Sequence, residues 1–326
     1  MSDLKRRILE MAKKDLEDIE AALKEHVHPE LKIVSDIAGH ILFAGGKRLR
    51  PLLGILSARI CDFDQDFDRA FSTVFEYLHA ATLLHDDLVD GADLRRGKTV
   101  AHSIWGNSEA VLVGDFLLAR SLSIAAKTRN CDVIALVAEV TQAMAQGEIH
   151  QLSKIKSLDI SEEEYMQIIR RKTAVVFRGA CRMSALIAGV GEEKKKAVSD
   201  FGHHLGIAFQ MADDLLDYTC DAQSLGKNPG ADLAEGKLTL PVIHALKSAP
   251  QPQRAAIEKI IMQDVFSNDE FEALTDLLRR FNGIQHTRQM AERHVAQAKE
   301  ALSVFQESST KTLFLMIADY VLDRNA

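Results

Sequence analysis

Proline is scarce in this chain of 326 residues and unevenly placed: there are six, and none falls between Pro51 and Pro229. Proline is the residue that most often ends or kinks a helix, so its absence from that long stretch leaves room for uninterrupted helices. Cysteine is scarce too. Cys61, Cys131, Cys181 and Cys220 form no Cys-x-x-Cys pair, which excludes a zinc-ribbon site and a disulfide framework and predicts reduced, mostly buried thiols. Positive charge is in deficit, with 40 Lys and Arg against 47 Asp and Glu and a net charge of −7. Nucleic acid held by bulk charge is thereby excluded, and an anionic ligand needs local cations or bound metal. No long apolar run occurs: the longest, AVLVGDFLLARSLSIAA from Ala110, is broken by Asp115 and Arg120 and is too short to span a bilayer. The first twenty residues lack a signal-peptide core and carry too many acids for a transit peptide. A cytoplasmic chain without a transmembrane segment is the expectation.

What the chain does have is helical period. Val133, Leu136, Val137, Val140 and Met144 recur at three- and four-residue steps, as do Tyr165, Ile168, Ile169, Val175 and Val176. Ser161 followed by Glu164 reads as a capping box that opens a helix. Apolar residues make up 47% and charged residues 27%, the balance of an ordinary globular protein rather than a disordered one. Alternating period-two runs and Asn-Gly or Asp-Gly turns are rare, and no Ser/Gly-rich linker cuts the chain. The reading is all-α, one domain over residues 1–326, with loops around His28, 61–68, 127–131, 156–161, 189–193 and 221–237.

Some familiar patterns fail on spacing. Asp62, Asp64, Asp66 and Asp68 alternate like the start of a calcium loop, but Phe67 and Thr73 stand where an EF-hand needs Gly and Glu. Gly236-Lys237 resembles the end of a P-loop, yet Leu238 follows where Ser or Thr is required. His203-His204 has no His-Glu-x-x-His partner.

Two matching acidic combs survive. Asp86, Asp87 and Asp90 sit in EYLHAATLLHDDLVD, and Asp213, Asp214 and Asp217 follow the apolar stretch GIAFQMA. Steps of four put the first and last carboxylates of a comb on one side of a helix. Three such charges repel unless something positive sits among them. One comb alone reads equally well as solvated surface, but a repeat of the same triplet on a second hydrophobic helix does not. If the two helices face each other, the combs form a cage of hard oxygen ligands suited to Mg²⁺, which shares its coordination with phosphate oxygens. Magnesium on a diphosphate neutralises charge and improves the leaving group, so the combs imply chemistry on a diphosphate ester. Gly45-Gly46-Lys47-Arg48-Leu49-Arg50-Pro51 supplies a cationic turn for a second diphosphate. Arg95, Arg96, Lys172, Lys227 and Lys237 add further cations.

With these residues in view, the chain resembles the trans-isoprenyl diphosphate synthases (polyprenyl synthetases), in particular their long-chain branch. The likeness runs from about Leu31 to the C-terminus. It rests on GGKRLRP at 45–51, EYLHAATLLHDDLVDGADLRRG at 76–97, Val113-Gly114-Asp115, Gly147-Glu148 with Gln151, Lys172-Thr173-Ala174, FQMADDLLD at 209–217 and GKNPGADLAEGKLTLP at 226–241. The resemblance implies a helical fold around a deep cavity, a homodimer, and head-to-tail condensation of isopentenyl diphosphate onto an allylic diphosphate such as farnesyl diphosphate. By position it implies that Lys47, Arg50, His79 and Arg96 bind isopentenyl diphosphate. Up to three Mg²⁺ would be held by Asp86, Asp87, Asp90, Asp213, Asp214 and Asp217. Arg95, Lys172, Thr173, Gln210, Lys227 and Lys237 would meet the allylic diphosphate. Ala231 and Leu238 depart from the family pattern, which often has Asp and Pro there.

The resemblance further implies that loss of diphosphate produces an allylic cation that the isopentenyl double bond attacks. No side chain in these motifs is an obvious base for the final proton, which points to the departing diphosphate. Water would quench the cation, so an apolar closed cavity is required. Product length is expected to depend on the apolar side of the first comb's helix: Ala81 and Thr82 lie five and four residues upstream of Asp86, with Tyr77 and Leu78 roughly one further turn along in the same direction. Ala81 is small where short-chain relatives carry an aromatic, and only two residues separate the acidic pair from Asp90 where bacterial short-chain relatives usually have four. Ala125 and Val137 are small as well. One helical turn, about 5.4 Å, is close to one isoprene unit. Octaprenyl diphosphate, a quinone side-chain precursor, is the expected product, with geranylgeranyl, heptaprenyl, nonaprenyl and decaprenyl lengths open. The rivals are a class I terpene cyclase, which normally lacks the second comb and GGKRxRP; a silent regulatory subunit, which tends to lose comb residues that this chain keeps; and a purely structural helical protein, which leaves the combs unexplained.

Overall fold

The computed structural model describes residues 3–323 apart from residues 28, 65–66, 96, 220–229 and 264. In chain order the helices are α1 (Asp3–Met11), α2 (Lys13–His26), α3 (Lys32–Leu42), α4 (Leu49–Ile60), α5 (Arg69–Ser72), α6 (Val74–Val89), α7 (Ala101–Trp105), α8 (Asn107–Ala126), α9 (Cys131–Leu152), α10 (Glu162–Ile169), α11 (Val175–Ile187) and α12 (Glu192–Thr219). After them come α13 (Ala231–Ala234), α14 (Leu240–Ser248), α15 (Gln251–Ile261), α16 (Asn268–Arg280), α17 (Gly283–Ala301) and α18 (Ser309–Asp323). The all-α reading therefore holds. Beside the helices, β1 (Leu94–Arg95) and β2 (Lys98–Thr99) form a small antiparallel hairpin just after α6 that the sequence reading did not foresee. Gly91 at φ +62° and Gly97 at φ +74° explain it, since glycine reaches left-handed turn conformations that other residues resist. The loop expected over 221–237 is corrected by α13, a helical turn at Ala231–Ala234. Cys61 and Cys181 are buried, whereas Cys131 is exposed.

The chain folds into two compact units, one of residues 1–142, 176–203 and 298–317, the other of 143–175, 204–297 and 318–326. Each boundary falls inside a helix, so no linker composition marks it in the sequence. The first unit is centred on α4 and α6, whose Leu52, Leu53, Ile55, Phe75 and Tyr77 are fully buried or nearly so with Phe177, Phe201 and Phe314. α6 packs along α8. At Gly114 a Cβ would lie 2.2 Å from Nε2 of His85, next to the first comb, so a larger residue there would displace that imidazole.

The second unit has its own core, including Tyr165, Met166, Ile169, Ile207, Met211, Leu240 and Leu274. The Ser161 capping box is present: its hydroxyl accepts from the Glu164 amide, and Glu164 accepts from the Ser161 amide. Ser267 and Glu270 open α16 in the same way. Between α10 and α11 the chain passes through a π-helical turn, Arg170–Ala174. α9 approaches this turn so closely at Gly147 that a Cβ would lie 2.7 Å from the Lys172 backbone nitrogen.

Candidate active site

In the first unit the comb ends α6, with Asp90 as its C-cap. The three carboxylates are not equivalent. Asp86 and Asp90 are half-buried, whereas Asp87 is 2% exposed and accepts from Arg95 Nε at 2.6 Å. The hairpin makes that pair, because it brings Arg95 back over the end of α6. Burial pushes the Asp87 carboxyl above its usual range, while Arg95 and then His102 pull it down. Arg95, expected on the allylic diphosphate, is thus held by a comb residue.

The cationic turn before α4 is divided as well. Arg48 adopts a left-handed conformation (φ 49°) and turns inward, where it meets Glu20 at 2.6 Å, Glu76 at 2.8 Å and the Leu42 carbonyl at 2.7 Å. It anchors α2, α3, α4 and α6 together and is no part of an anion clamp. Lys47 is exposed, and the Arg50 guanidinium lies 4.9 Å from the centre of the Phe177 ring. His79 is half-buried one turn below Leu83 on α6, and its carbonyl accepts from the Thr82 hydroxyl. Ala81 is 2% exposed and Leu78 1% exposed. Tyr77 is fully buried with its hydroxyl donating to the Leu23 carbonyl on α2, 2.8 Å away. Arg96 lies outside the described residues.

In the second unit a relay of hydrogen bonds links four groups. The Thr173 hydroxyl donates to Gln210 Oε1 at 2.8 Å, the Gln210 amide donates to Asp214 Oδ1 at 2.8 Å, and the Tyr165 hydroxyl donates to Asp214 Oδ2 at 2.6 Å. Lys172, presented by the π-helical turn, reaches back to α9, where Nζ meets Gln151 Oε1 at 2.7 Å and Glu148 Oε2 at 2.5 Å. Tyr165, Thr173, Gln210, Asp214, Lys172 and Gln151 line a cavity of about 120 Å³ shared with Asp232 and Lys237. Lys237 is 9% exposed and pairs with Glu235 at 2.8 Å. Lys227 lies outside the described residues.

The second comb splits as the first does. Asp213 is exposed, while Asp214 and Asp217 are buried. Helical spacing alone puts Asp213 and Asp217 on one side, but the turn into α13 covers the second: Asp217 Oδ2 accepts from the Asp232 amide at 3.1 Å and its carbonyl from the Gly230 amide. Burial pushes the Asp214 carboxyl up to about 8; Asp232 and Asp213 raise it further, against the lowering bonds from Tyr165 and Gln210. A carboxyl buried beside the carboxyls of Asp232 and Asp213 is an environment whose accumulated negative charge a hard divalent cation would relieve. The oxygen-only chemistry of both combs fits such an ion and does not fit a soft metal. Sequence reasoning missed Tyr165 and Asp232 as parts of this wall. Tyr165 carried no signal, because its place on the apolar stripe of α10 made it look like simple core.

Residues 31–278 match the family model of the polyprenyl synthetases. The octaprenyl diphosphate synthase of Escherichia coli is 34% identical over 98% of this chain and 98% of its own. The chain belongs to the polyprenyl synthetase family. It is accordingly a prenyltransferase, a trans-polyprenyl diphosphate synthase. An all-trans-nonaprenyl-diphosphate synthase of Rhodobacter capsulatus is also 34% identical, over 99% of this chain and 98% of that one. Among solved structures, the polyprenyl synthase of Caulobacter crescentus in complex with calcium and isoprenyl diphosphate superposes with a TM-score of 0.91 at 35% identity, covering 98% of each chain. The first comb with its Arg95 hairpin and the second comb with the Lys172 turn both lie inside the matched span. Among the described residues no helix is long and apolar enough to cross a membrane.

Proposed function

We propose that this polyprenyl synthetase adds isopentenyl diphosphate repeatedly to an allylic primer such as farnesyl diphosphate and stops at octaprenyl diphosphate. The observation that carries the length is Ala81, a small side chain buried at 2% exposure on α6, five residues above Asp86. A chain growing down that helix meets no aromatic floor at the first level. The octaprenyl relative supports the reading; the nonaprenyl relative at the same identity favours one unit more as the second reading.

In this proposal Asp86, Asp87, Asp90, Asp213, Asp214 and Asp217 hold up to three Mg²⁺, consistent with the calcium in the Caulobacter relative. When bound, the ions would neutralise the allylic diphosphate and let it depart. The less buried Asp86, Asp90 and Asp213 face ligand, while Asp87, Asp214 and Asp217 are fixed by Arg95, by Tyr165 with Gln210, and by the Asp232 amide. Lys172, Thr173, Gln210 and Lys237, with Arg95 and Lys227, orient the allylic diphosphate. Lys47, Arg50, His79 and Arg96 orient isopentenyl diphosphate. Holding both groups in place supplies proximity and orientation, and the cations stabilise charge as it develops on the leaving group. The buried apolar side of α6 keeps water from the allylic cation. We read the whole chain as one functional domain and the working form as a cytoplasmic homodimer whose product becomes a quinone side chain. The exposed apolar Ile104 and Leu112 on α7 and α8 support a partner there.

The test is direct. The purified protein is incubated with Mg²⁺, farnesyl diphosphate and labelled isopentenyl diphosphate, and the extracted lipids are sized; a forty-carbon main product is expected. A main product of any other length overturns the octaprenyl reading, and no elongation by a folded protein overturns the reaction.

A further inference from the structure

Outside the combs, a second set of ligand-type side chains converges in the second unit. Glu162 opens α10, His244 lies in the middle of α14, and His286 lies in the first turn of α17. Nε2 of His286 stands 3.3 and 3.2 Å from the two carboxylate oxygens of Glu162. The His244 and His286 rings stack with their centres 4.0 Å apart and their planes 17° from parallel. One ligand atom from each of the three can be chosen so that all lie within 4.8 Å of one another.

The backbone enforces this meeting. α17 begins at Gly283, where a Cβ would lie 2.1 Å from the Pro241 carbonyl of α14. Only glycine permits that approach. His286 and His244 each stand three residues beyond the contact, on the same face of their own helices, so the two imidazoles meet one turn along. Glu162 is not consumed by the capping box at its helix start, because Glu164 fills that role.

We propose that Glu162, His244 and His286 form a binding site for a zinc-type divalent cation, a clip joining α10, α14 and α17 that is separate from the two combs. Two imidazole nitrogens and one carboxylate oxygen are the donor set of Zn²⁺ and its neighbours Co²⁺, Ni²⁺ and Cu²⁺; Mg²⁺ and Ca²⁺ prefer oxygen alone. Tetrahedral ligands about 2.1 Å from zinc lie about 3.4 Å apart. The Glu162–His286 pair already has that spacing. Rotation of the His244 side chain brings in the third ligand, and the partly exposed Glu162 and His286 leave a fourth position to water. The clip would bear on the site, since α10 carries Tyr165 and runs into the turn that presents Lys172.

The test uses the whole protein, stripped with chelator and kept in excess Mg²⁺ so that the combs are not available to the probe. Cobalt(II) chloride is titrated while visible absorption is followed, because four-coordinate Co²⁺ absorbs far more strongly than the octahedral ion. One equivalent of intense band, displaced by Zn²⁺, is expected. His286→Gln, His244→Gln and Glu162→Gln, placed on three different helices, should each weaken Co²⁺ binding at least about tenfold, since even outer-shell changes cost that much. Asp213→Asn should leave the band intact. Zn²⁺ should raise the Tm of the wild type by a few degrees and leave His286→Gln unmoved. A wild type without the band, a band that persists in the folded His variants, or a band lost in Asp213→Asn would each overturn the site and leave the three residues as an ion pair beside a stacked histidine.

Discussion

An acid that must give up its proton inside a protein does so late, and Asp214 carries that cost at the centre of the second comb. Its carboxyl is pushed up to about 8, by burial first and by Asp232 next, whereas in the unfolded chain it titrates near 3.9. Between these values the native state holds a proton that the unfolded state has lost. Stability therefore falls as pH rises through this window, by at most about 1.4 kcal/mol per pH unit for one group. Urea unfolding of chelator-treated protein from pH 5 to pH 8 should show the decline, and Asp214→Asn should flatten it. If Asp214 binds metal as proposed, the same proton must leave when a divalent cation arrives. Calorimetry of Mg²⁺ binding at pH 7 in buffers of different ionisation enthalpy should report release of up to one proton in the wild type and less in Asp214→Asn. Equal release in the two proteins would place the linked proton elsewhere. Tyr165→Phe probes the neighbouring bond. It removes the 2.6 Å hydrogen bond to Asp214 and should lower stability by about 1 kcal/mol while weakening Mg²⁺ binding, because the carboxylate then loses its fixed orientation.

At the level of elements, the π-helical turn is the feature on which the second half-site depends. It presents Lys172 and Thr173 in adjacent positions to α9 and α12, and α9 can approach it only because residue 147 is glycine. Gly147→Ala would set a Cβ 2.7 Å from the Lys172 nitrogen and 3.0 Å from the Arg171 Cβ. Both neighbours belong to the turn, so the turn must shift. The expected loss is about 1–3 kcal/mol of stability and about 10- to 100-fold in kcat/KM, the scale of a misplaced binding group. Gly191→Ala, where a Cβ meets nothing within 4 Å, is the control and should change neither. The helices themselves were legible: the Ser161 capping box, the period through α9 and the two combs can all be read from spacing. The turn at Arg170–Ala174 was not, since nothing in Arg-Arg-Lys-Thr-Ala distinguishes a π-helical from an α-helical path; close approach of another helix decides it. The Arg95 hairpin was hidden for a similar reason, because its two-residue strands are too short to show alternation. The inequality of the comb carboxylates was also invisible. Asp87 and Asp217 are buried by Arg95 and by the turn into α13, which spacing along one helix does not record.

At the scale of the molecule, an acidic protein must handle two strongly anionic substrates. Its net charge of −7 gives no general attraction, so affinity must come from local cations and, under the proposed role of the combs, from metal bound there. Reaction class was therefore readable from a few clusters, while under the octaprenyl proposal product length rests on the depth of an apolar path to which single buried side chains contribute. Ala81 is the residue at which this can be tested in graded steps. It is 2% exposed on α6, and one turn of that helix, about 5.4 Å, corresponds to roughly one isoprene unit. Under the octaprenyl proposal, Ala81→Val, Ala81→Leu and Ala81→Phe should shorten the main product progressively, with the aromatic giving the shortest. Each enlargement also strains a packed wall, at about 1–3 kcal/mol, so Tm is measured beside the lipid profile. Shortening in a variant that keeps its Tm identifies Ala81 as a wall of the path. A full-length product from folded Ala81→Phe would place the growing chain along another face.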